Sequence, residues 1–174
     1  MKNTKFYFSR AWLLLTALLM SALVAVSFTS CKSDDDDDDL PSGVEYLSSD
    51  SLLIGTWNGG TEKYPECYKI SKSNFSNGYY EGNELCVLNI SGSSGYIYIK
   101  YTKSMNADWS YSETAPDVGK WYAISYKNLT DDTISISGAY KYGGATSTET
   151  LDEAVSEFTI ENGYFGTYSD CTRQ

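Results

Sequence analysis

The sequence predicts an all-β fold, namely an antiparallel up-and-down barrel of about eight strands with one short helix before the last strand. Short apolar or aromatic runs follow one another from residue 46 onward, separated by clusters of Gly, Asn, Asp and Ser. Such a pattern is typical of antiparallel sandwiches and barrels. Eight runs of this kind are enough to close a small barrel. A single segment with helical periodicity comes shortly before the last run.

The alternation of apolar and polar residues is clearer in some candidate strands than in others. In the seventh run Ile134 and Ile136 share one face, whereas Ser135 and Ser137 share the other, so one side is expected to be buried. The fifth run, around residues 96–101, is apolar on both faces, which indicates either a lined cavity or a second covered surface. In chain order the candidate strands are residues 54–59, 67–71, 75–80, 85–91, 95–103, 121–129, 133–141 and 164–169.

One helix is predicted between the seventh and eighth runs. Thr150 and Glu153 have the spacing of a capping box, and Leu151, Val155 and Phe158 follow on one face. The helix is short, so its stability must come from packing that face on the sheet.

The connections differ in length in a regular way. In an up-and-down meander, residues 60–66, 81–84, 104–120 and 142–163 connect strands at one end. The tight connections, 72–74, 92–94 and 130–132, all fall at the other end. If the first strand runs away from the N-terminal segment, the tightly connected end lies near that segment. The barrel is then expected to be closed at this near end and open at the far end.

Three parts are expected along the 174 residues. Residues 1–30 have a basic start and an uncharged stretch over 11–28, as a secretory signal peptide does; an uncleaved membrane anchor is the alternative. Residues 31–45 begin with a cysteine and continue into six aspartates, which favours a solvated acidic tether over a calcium loop because no glycine or spaced ligands interrupt the run. Residues 46–174 form the barrel domain.

The segment Phe28-Thr29-Ser30-Cys31 resembles a lipobox. The resemblance implies that Cys31 is diacylated and becomes the mature N-terminus. With Lys32 and the run Asp34 to Asp39, the segment is also similar to the export signal of bacteroidete surface lipoproteins. It implies a lipid-anchored protein at the outer face of the outer membrane. Two or three acyl chains anchor firmly because each buried methylene contributes about 0.8 kcal/mol.

Gly55-Thr56-Trp57 resembles the Gly-x-Trp opening of lipocalin-like barrels. That resemblance implies that Trp57 plugs the closed end and that Arg173 packs over it. The stretches 95–101 and 151–171 are also similar to segments of small bacteroidete and spirochaete lipoproteins, from which no function can be carried over.

Aromatic side chains are the candidate ligand contacts. Trp109 and Tyr111 lie in the longest strand connection, where a solvated loop does not normally expose aromatic rings. Tyr96 and Tyr98 would line a cavity inside the barrel. For Trp109 the alternative is a core plug or lid that folds back onto the barrel.

Composition restricts the chemistry. The chain has no histidine, which excludes a Ser-His-Asp triad, a Cys-His pair and histidine-based zinc sites within this polypeptide. We therefore expect no catalysis, no metal and no cofactor. The formal net charge is −10, and removal of the basic signal makes it more negative, so nucleic acid is not an expected partner.

Two further modifications are expected. Cys67 and Cys86 both fall near the start of even-numbered strands, hence at the same end, and an exported protein favours a disulfide between them; free thiols are the alternative. Ser51 and Thr133 stand in triplets that resemble the O-glycosylation pattern of bacteroidetes.

These observations favour a non-catalytic barrel that binds a small apolar or glycan ligand. The alternative is a protein-interaction module, either an accessory subunit of an outer-membrane complex or a protease inhibitor. The first predicts an internal cavity lined by the fifth run. The second predicts a filled barrel with an exposed aromatic patch.

Overall fold

The computed structural model describes residues 40–174. The predicted signal peptide, the lipid attachment site Cys31 and the run Asp34 to Asp39 lie outside the described residues. No helix within 40–174 is long and apolar enough to cross a membrane. The elements of this part of the chain are β1 (Val44–Tyr46), β2 (Gly55–Gly60), β3 (Pro65–Ile70), β4 (Asn74–Ser76), β5 (Glu81–Ser91), β6 (Ser94–Met105), β7 (Tyr111–Ser112), β8 (Trp121–Lys127), β9 (Thr133–Gly138), α1 (Leu151–Glu157) and β10 (Ser169–Arg173).

Eight of the strands close into a barrel, which confirms the predicted fold. Each strand of the series β2, β3, β4, β5, β6, β8, β9 and β10 pairs antiparallel with the next. The ring closes where β10 pairs with β2, with Arg173 opposite Trp57. As the meander predicts, the tight turns gather at the near end, where the described chain begins. The two long connections, residues 106–120 and 139–168, lie at the far end, where the other two, 61–64 and 77–80, are short.

Two short strands were not predicted. Strand β1 pairs with β5, with Val44 opposite Leu88, so the folded unit begins inside the predicted tether of residues 31–45. Strand β7 pairs with the end of β6 through Met105 and Tyr111. Both strands are too short to show alternation in sequence.

The position predicted for the last strand, residues 164–169, is wrong. The strand is Ser169–Arg173, and the preceding residues cover the outer surface of the barrel instead. The Phe165 ring lies 5.4 Å from that of Tyr96, and the Tyr168 hydroxyl is 2.8 Å from that of Ser125. This segment covers the outer face of β6, which explains why both faces of that strand are apolar.

Side chains fill the interior of the barrel. Trp57, Ile97, Ile99 and Ile124 are fully buried, and every strand of the ring contributes to one hydrophobic core. Aromatic rings continue the core toward the far end, with Phe75 stacked on Tyr80 at a centroid distance of 5.6 Å. The expected internal cavity is therefore occupied by the protein itself.

Helix α1 has the predicted capping box. The Thr150 hydroxyl accepts a hydrogen bond from the Glu153 backbone N–H at 3.2 Å, and the Glu153 carboxylate accepts one from the Thr150 N–H at 3.1 Å. Leu151 and Phe158 are buried where the helix packs against β6 and β8.

Candidate functional site

The near end is closed by one tryptophan and one arginine. Trp57 is fully buried, and its indole N–H donates to the Leu53 carbonyl at 2.9 Å. The Arg173 guanidinium carbon lies 4.0 Å from the centre of the indole ring, as the lipocalin resemblance implies. Position 53 belongs to the segment between β1 and β2, so that segment is tied to the barrel floor.

Arg173 also holds three backbone carbonyls at this end. Its Nη1 and Nη2 donate to Ile54 and Leu52, each at 2.7 Å, and its Nε donates to Asp131. A Cβ at Gly55 would overlap Arg173 Nη1, so only glycine fits this position of the Gly-x-Trp segment while the guanidinium stays in place. The side chains predicted for barrel closure thus make their contacts within the folded barrel.

The far end has a cleft of about 520 Å³. Its deepest rings are Tyr80, Tyr101 and Tyr122, with Tyr101 and Tyr122 stacked at 5.0 Å and Tyr80 edge-on to Tyr122 at 5.3 Å. The residues around the cleft come from the far ends of β6 and β8 and from the connections that follow β4, β6 and β9. They are Tyr80, Tyr101, Ser104, Met105, Asn106, Ala107, Tyr111, Pro116, Asp117, Tyr122, Ala139, Tyr140, Lys141, Ala145 and Thr146.

A glycine in β9 makes room for the phenols of the cleft floor. A Cβ at Gly138 would lie 2.6 Å from the Tyr122 hydroxyl oxygen and 3.1 Å from that of Tyr80. The Tyr122 hydroxyl donates to the Ala139 carbonyl at 3.0 Å, which fixes the ring. Burial raises the pKa of Tyr80, of Tyr101 and of Tyr122 above the ordinary phenol value, so the floor is uncharged at neutral pH.

Polar side chains stand at the edge of the cleft. The Asp117 carboxylate is held by the Ser147 hydroxyl, which donates to it at 2.8 Å. The Asn106 amide donates to the hydroxyls of Ser110 and Ser112 at 3.0 and 3.1 Å. The cleft therefore combines aromatic walls with hydrogen-bonding groups whose positions are fixed.

Exposed aromatic rings surround the far end. They belong to the connections between β2 and β3, β4 and β5, β6 and β8, and the one that follows β9. With their exposed fractions, they are Tyr64 (67%), Tyr79 (60%), Trp109 (78%), Tyr111 (36%), Tyr140 (75%) and Tyr142 (94%). We call these six side chains the aromatic rim.

Trp109 occupies the tip of a well-ordered turn. Its backbone has a φ of 67°, a conformation that few residues with a side chain adopt. The turn is closed because the Asn106 N–H donates to the Ser110 carbonyl at 2.7 Å and the Trp109 N–H donates to the Asn106 carbonyl at 3.0 Å. The Asp108 carboxylate accepts from both the backbone N–H and the hydroxyl of Ser110, and these bonds lower its pKa.

The predicted ligand residues separate into two groups. Tyr111 lines the cleft, whereas Trp109 does not line it and stands at the tip of the turn that precedes Tyr111. Tyr96 and Tyr98 do not reach the cleft. They alternate with the inward-facing Ile97, and their exposed fractions are only 5% and 0%. The alternation of a strand places them on the outer face, under residues 160–168, so their assignment as cavity-lining contacts is wrong.

The predicted disulfide between Cys67 and Cys86 is also absent, because Cys67, Cys86 and Cys171 are free thiols in the described part of the chain. Strands β3 and β5 are separated by β4, and two strand spacings amount to about 9 to 10 Å, beyond the Cα separation that a disulfide allows. Burial raises the pKa of the Cys86 thiol to about 11.

The remaining predicted positions lie at the near end. Ser51 is half-buried, and its hydroxyl accepts from the Leu53 N–H at 3.3 Å. Thr133 is exposed at the start of β9. O-glycosylation of either side chain stays a prediction. Among the described residues, no group of three or more His, Cys, Asp or Glu is placed to hold a metal ion.

Sequence reasoning missed most of the cleft. Tyr80, Tyr101 and Tyr122 were assigned to strands, and Tyr140 to the end of a strand, without a role in binding. The signal was present, since all four stand at the far ends of their strands, where the long connections begin.

No family model, curated protein or solved structure matches the chain.

Proposed function

We propose that the chain is a lipid-anchored, non-catalytic binding barrel of the outer-membrane surface that takes a glycan in its far-end cleft. The observation that carries the proposal is the cleft itself. It is a concave site walled by tyrosines and edged by Asn106, Asp117 and Thr146, at the end opposite the N-terminal segment.

The two ends of the barrel support an outward orientation. The described chain begins at the near end, and the proposed lipid site Cys31 precedes it with six aspartates between them. Like charges repel, so a run of six aspartates disfavours contact with anionic lipid. A protein held in this way presents the far end to the surroundings.

The composition of the cleft favours a sugar over a purely apolar ligand. A sugar ring has apolar C–H faces and a hydroxylated edge, so it matches an aromatic wall beside hydrogen-bonding side chains. Tyr111 and Tyr140 supply rings at the walls, and Asp117 supplies an acceptor for hydroxyl groups. A lipid-like ligand would need the interior of the barrel, which Trp57 and the isoleucines fill.

A protein partner is the second candidate, favoured by the filled interior and the aromatic rim. The far-end connections are rich in Tyr, Ser, Gly and Asn, the composition that antibody loops use to bind protein surfaces. Exposed Trp and Tyr side chains are also typical anchors of protein interfaces.

Two variants test the glycan proposal. Calorimetric titration with oligosaccharides of the α-glucan, β-glucan and chitin types should detect binding, and Tyr140→Ala should weaken it about tenfold or more because it removes a wall of the cleft. Tyr64→Ala is the matched control, since Tyr64 is a similarly exposed rim tyrosine that does not line the cleft. Equal weakening by both variants would contradict a site in the cleft, and absence of any saccharide binding would favour the protein partner.

The proposed anchor has its own test. Cys31→Ser should abolish metabolic labelling with palmitate and release the protein from membranes. Replacement of Lys32 and Asp34 to Asp39 by alanine should preserve labelling but reduce digestion by external protease. Unchanged labelling of Cys31→Ser would exclude lipidation at this residue.

A further inference from the structure

Trp109 lies in the connection that forms one side of the cleft but does not itself line the cleft. Met105, Asn106, Ala107 and Tyr111 line it on this side, and Trp109 lies between Ala107 and Tyr111 in sequence at the tip of the turn. Its side chain is 78% exposed, whereas Trp57 is fully buried. A ligand that extends from the cleft along this connection would come close to the indole.

The turn fixes the backbone from which the indole projects before any ligand arrives. Backbone hydrogen bonds of Asn106 close the turn, and the Asp108 carboxylate fixes Ser110 through two hydrogen bonds, at 3.1 Å to its N–H and 2.6 Å to its hydroxyl. The positive φ of Trp109 costs conformational energy that these bonds offset. Such preorganisation lowers the entropic cost of ordering the loop when a ligand binds.

The indole is also free to receive a ligand. Within residues 40–174 it stacks on no other ring and makes no side-chain hydrogen bond, unlike Tyr111, whose ring lies 5.5 Å from that of Tyr79. Burial of this exposed ring against the apolar face of a ligand would be favourable. The flat, exposed face of an indole is suited to stacking on the apolar face of a sugar.

Because these features continue the wall of the cleft, and resting on the function proposed above, we infer that the site takes a saccharide chain of several units rather than a single sugar. The cleft between Tyr111 and Tyr140 is the inner subsite. The exposed face of Trp109 is an outer subsite, on which a later unit of the same chain stacks. Affinity should therefore rise with chain length, and the rise should depend on Trp109.

The test compares chain lengths in matched variants. Cello-, malto- and N-acetylchito-oligosaccharides of two and six units are titrated calorimetrically into the wild type, Trp109→Ala and the rim control Tyr64→Ala. For the series that binds, the six-unit chain should bind the wild type about 3- to 10-fold more tightly than the two-unit chain, as expected for one added aromatic stack. Trp109→Ala should remove this gain and leave two-unit binding unchanged. Tyr64→Ala should behave as the wild type does.

Failure of the inference and failure of the proposed function give different results. Binding that depends on Tyr140 but not on chain length, or a length gain that persists in Trp109→Ala, would overturn the outer subsite and leave the cleft in place. Equal loss of two-unit and six-unit binding in Trp109→Ala would also overturn it, because the indole would then belong to the inner site. Absence of binding in all three series would overturn both proposals.

Discussion

The two ends of the barrel use the same kinds of residue in opposite ways. At the near end, Trp57 is fully buried, its indole N–H is bonded, and Arg173 covers its ring. At the far end, Trp109 is 78% exposed, with no ring stacked on it in the described part of the chain. The near-end tryptophan finds its partners within the chain, whereas the far end leaves aromatic side chains exposed.

The difference between the ends follows from their connections. Short turns bring neighbouring strands together and leave little to expose, so the near end can be sealed by one side chain from each of two strands. Long connections carry side chains that the packed core has no room for. The barrel therefore separates stability from binding along its axis, and mutations at the two ends should have separate effects.

The largest effect is expected from Trp57→Ala. Removing a fully buried indole leaves a cavity at the closed end, and we expect a loss of about 3 to 5 kcal/mol in the free energy of unfolding. Urea denaturation followed by circular dichroism measures the change. A loss comparable to that of an exposed aromatic would show that the near end is not the stabilising end.

The next effect is expected from Arg173→Ala, at about 1 to 3 kcal/mol, because the guanidinium stacks on an indole and bonds three carbonyls. In a double-mutant cycle with Trp57→Ala, the coupling energy should be about 0.5 to 2 kcal/mol. Arg173→Lys is the control, since lysine keeps the charge but not the planar fork, and it should restore only part of the loss. Coupling near zero would show that the contact between Arg173 and Trp57 does not contribute to stability.

Gly138→Ala should lower both stability and saccharide binding, because this residue lies under the floor of the cleft. The added methyl group collides with the Tyr122 and Tyr80 hydroxyls, so we expect a loss of about 1 to 3 kcal/mol in stability. The same collision displaces the cleft floor, and saccharide binding should weaken with it. Normal stability together with normal binding would contradict this prediction and would mean that the Tyr122 and Tyr80 side chains can move aside for the added methyl group.

The smallest effect on stability is expected from Trp109→Ala, within about 0.5 kcal/mol of the wild type, because an exposed ring adds no core packing. The measurement is the same denaturation as for Trp57→Ala, which makes the two tryptophans a matched pair. A loss approaching that of Trp57→Ala would mean that the indole folds back as a plug.

The fold was predictable from sequence because its signals are local and repeated. Eight short apolar or aromatic runs, one capping box at Thr150 and the contrast between short and long connections indicate a meander without any knowledge of contacts. The last strand was misplaced because Tyr164, Phe165 and Tyr168 look like a strand in sequence. Those rings pack on the outside of the barrel instead, and only the tertiary structure shows that β6 has a covered outer face.

The cleft was less predictable because whether a tyrosine lines it depends on the face of the strand and on the tyrosine's position along the barrel axis. Tyr98 and Tyr101 belong to one aromatic run, yet one faces outward under a covering segment and the other faces the cleft. A bulge in β5 between Asn83 and Cys86 shifts the register against β6, and nothing in the composition marks it. Exposed residues such as Trp109 were easier to find, since they stand in a connection too long for a simple turn.

Closure of the ring by β10 has a consequence for the way the protein is made. Strand β2 forms early in the chain, but one of its two edges stays unpaired until Ser169–Arg173 arrives, more than a hundred residues later. The ring therefore cannot close while the chain is synthesised only as far as β9, and β2 must wait for a distant partner strand. The same pairing brings the Arg173 guanidinium onto the Trp57 ring, so ring closure and coverage of the plug occur in one step.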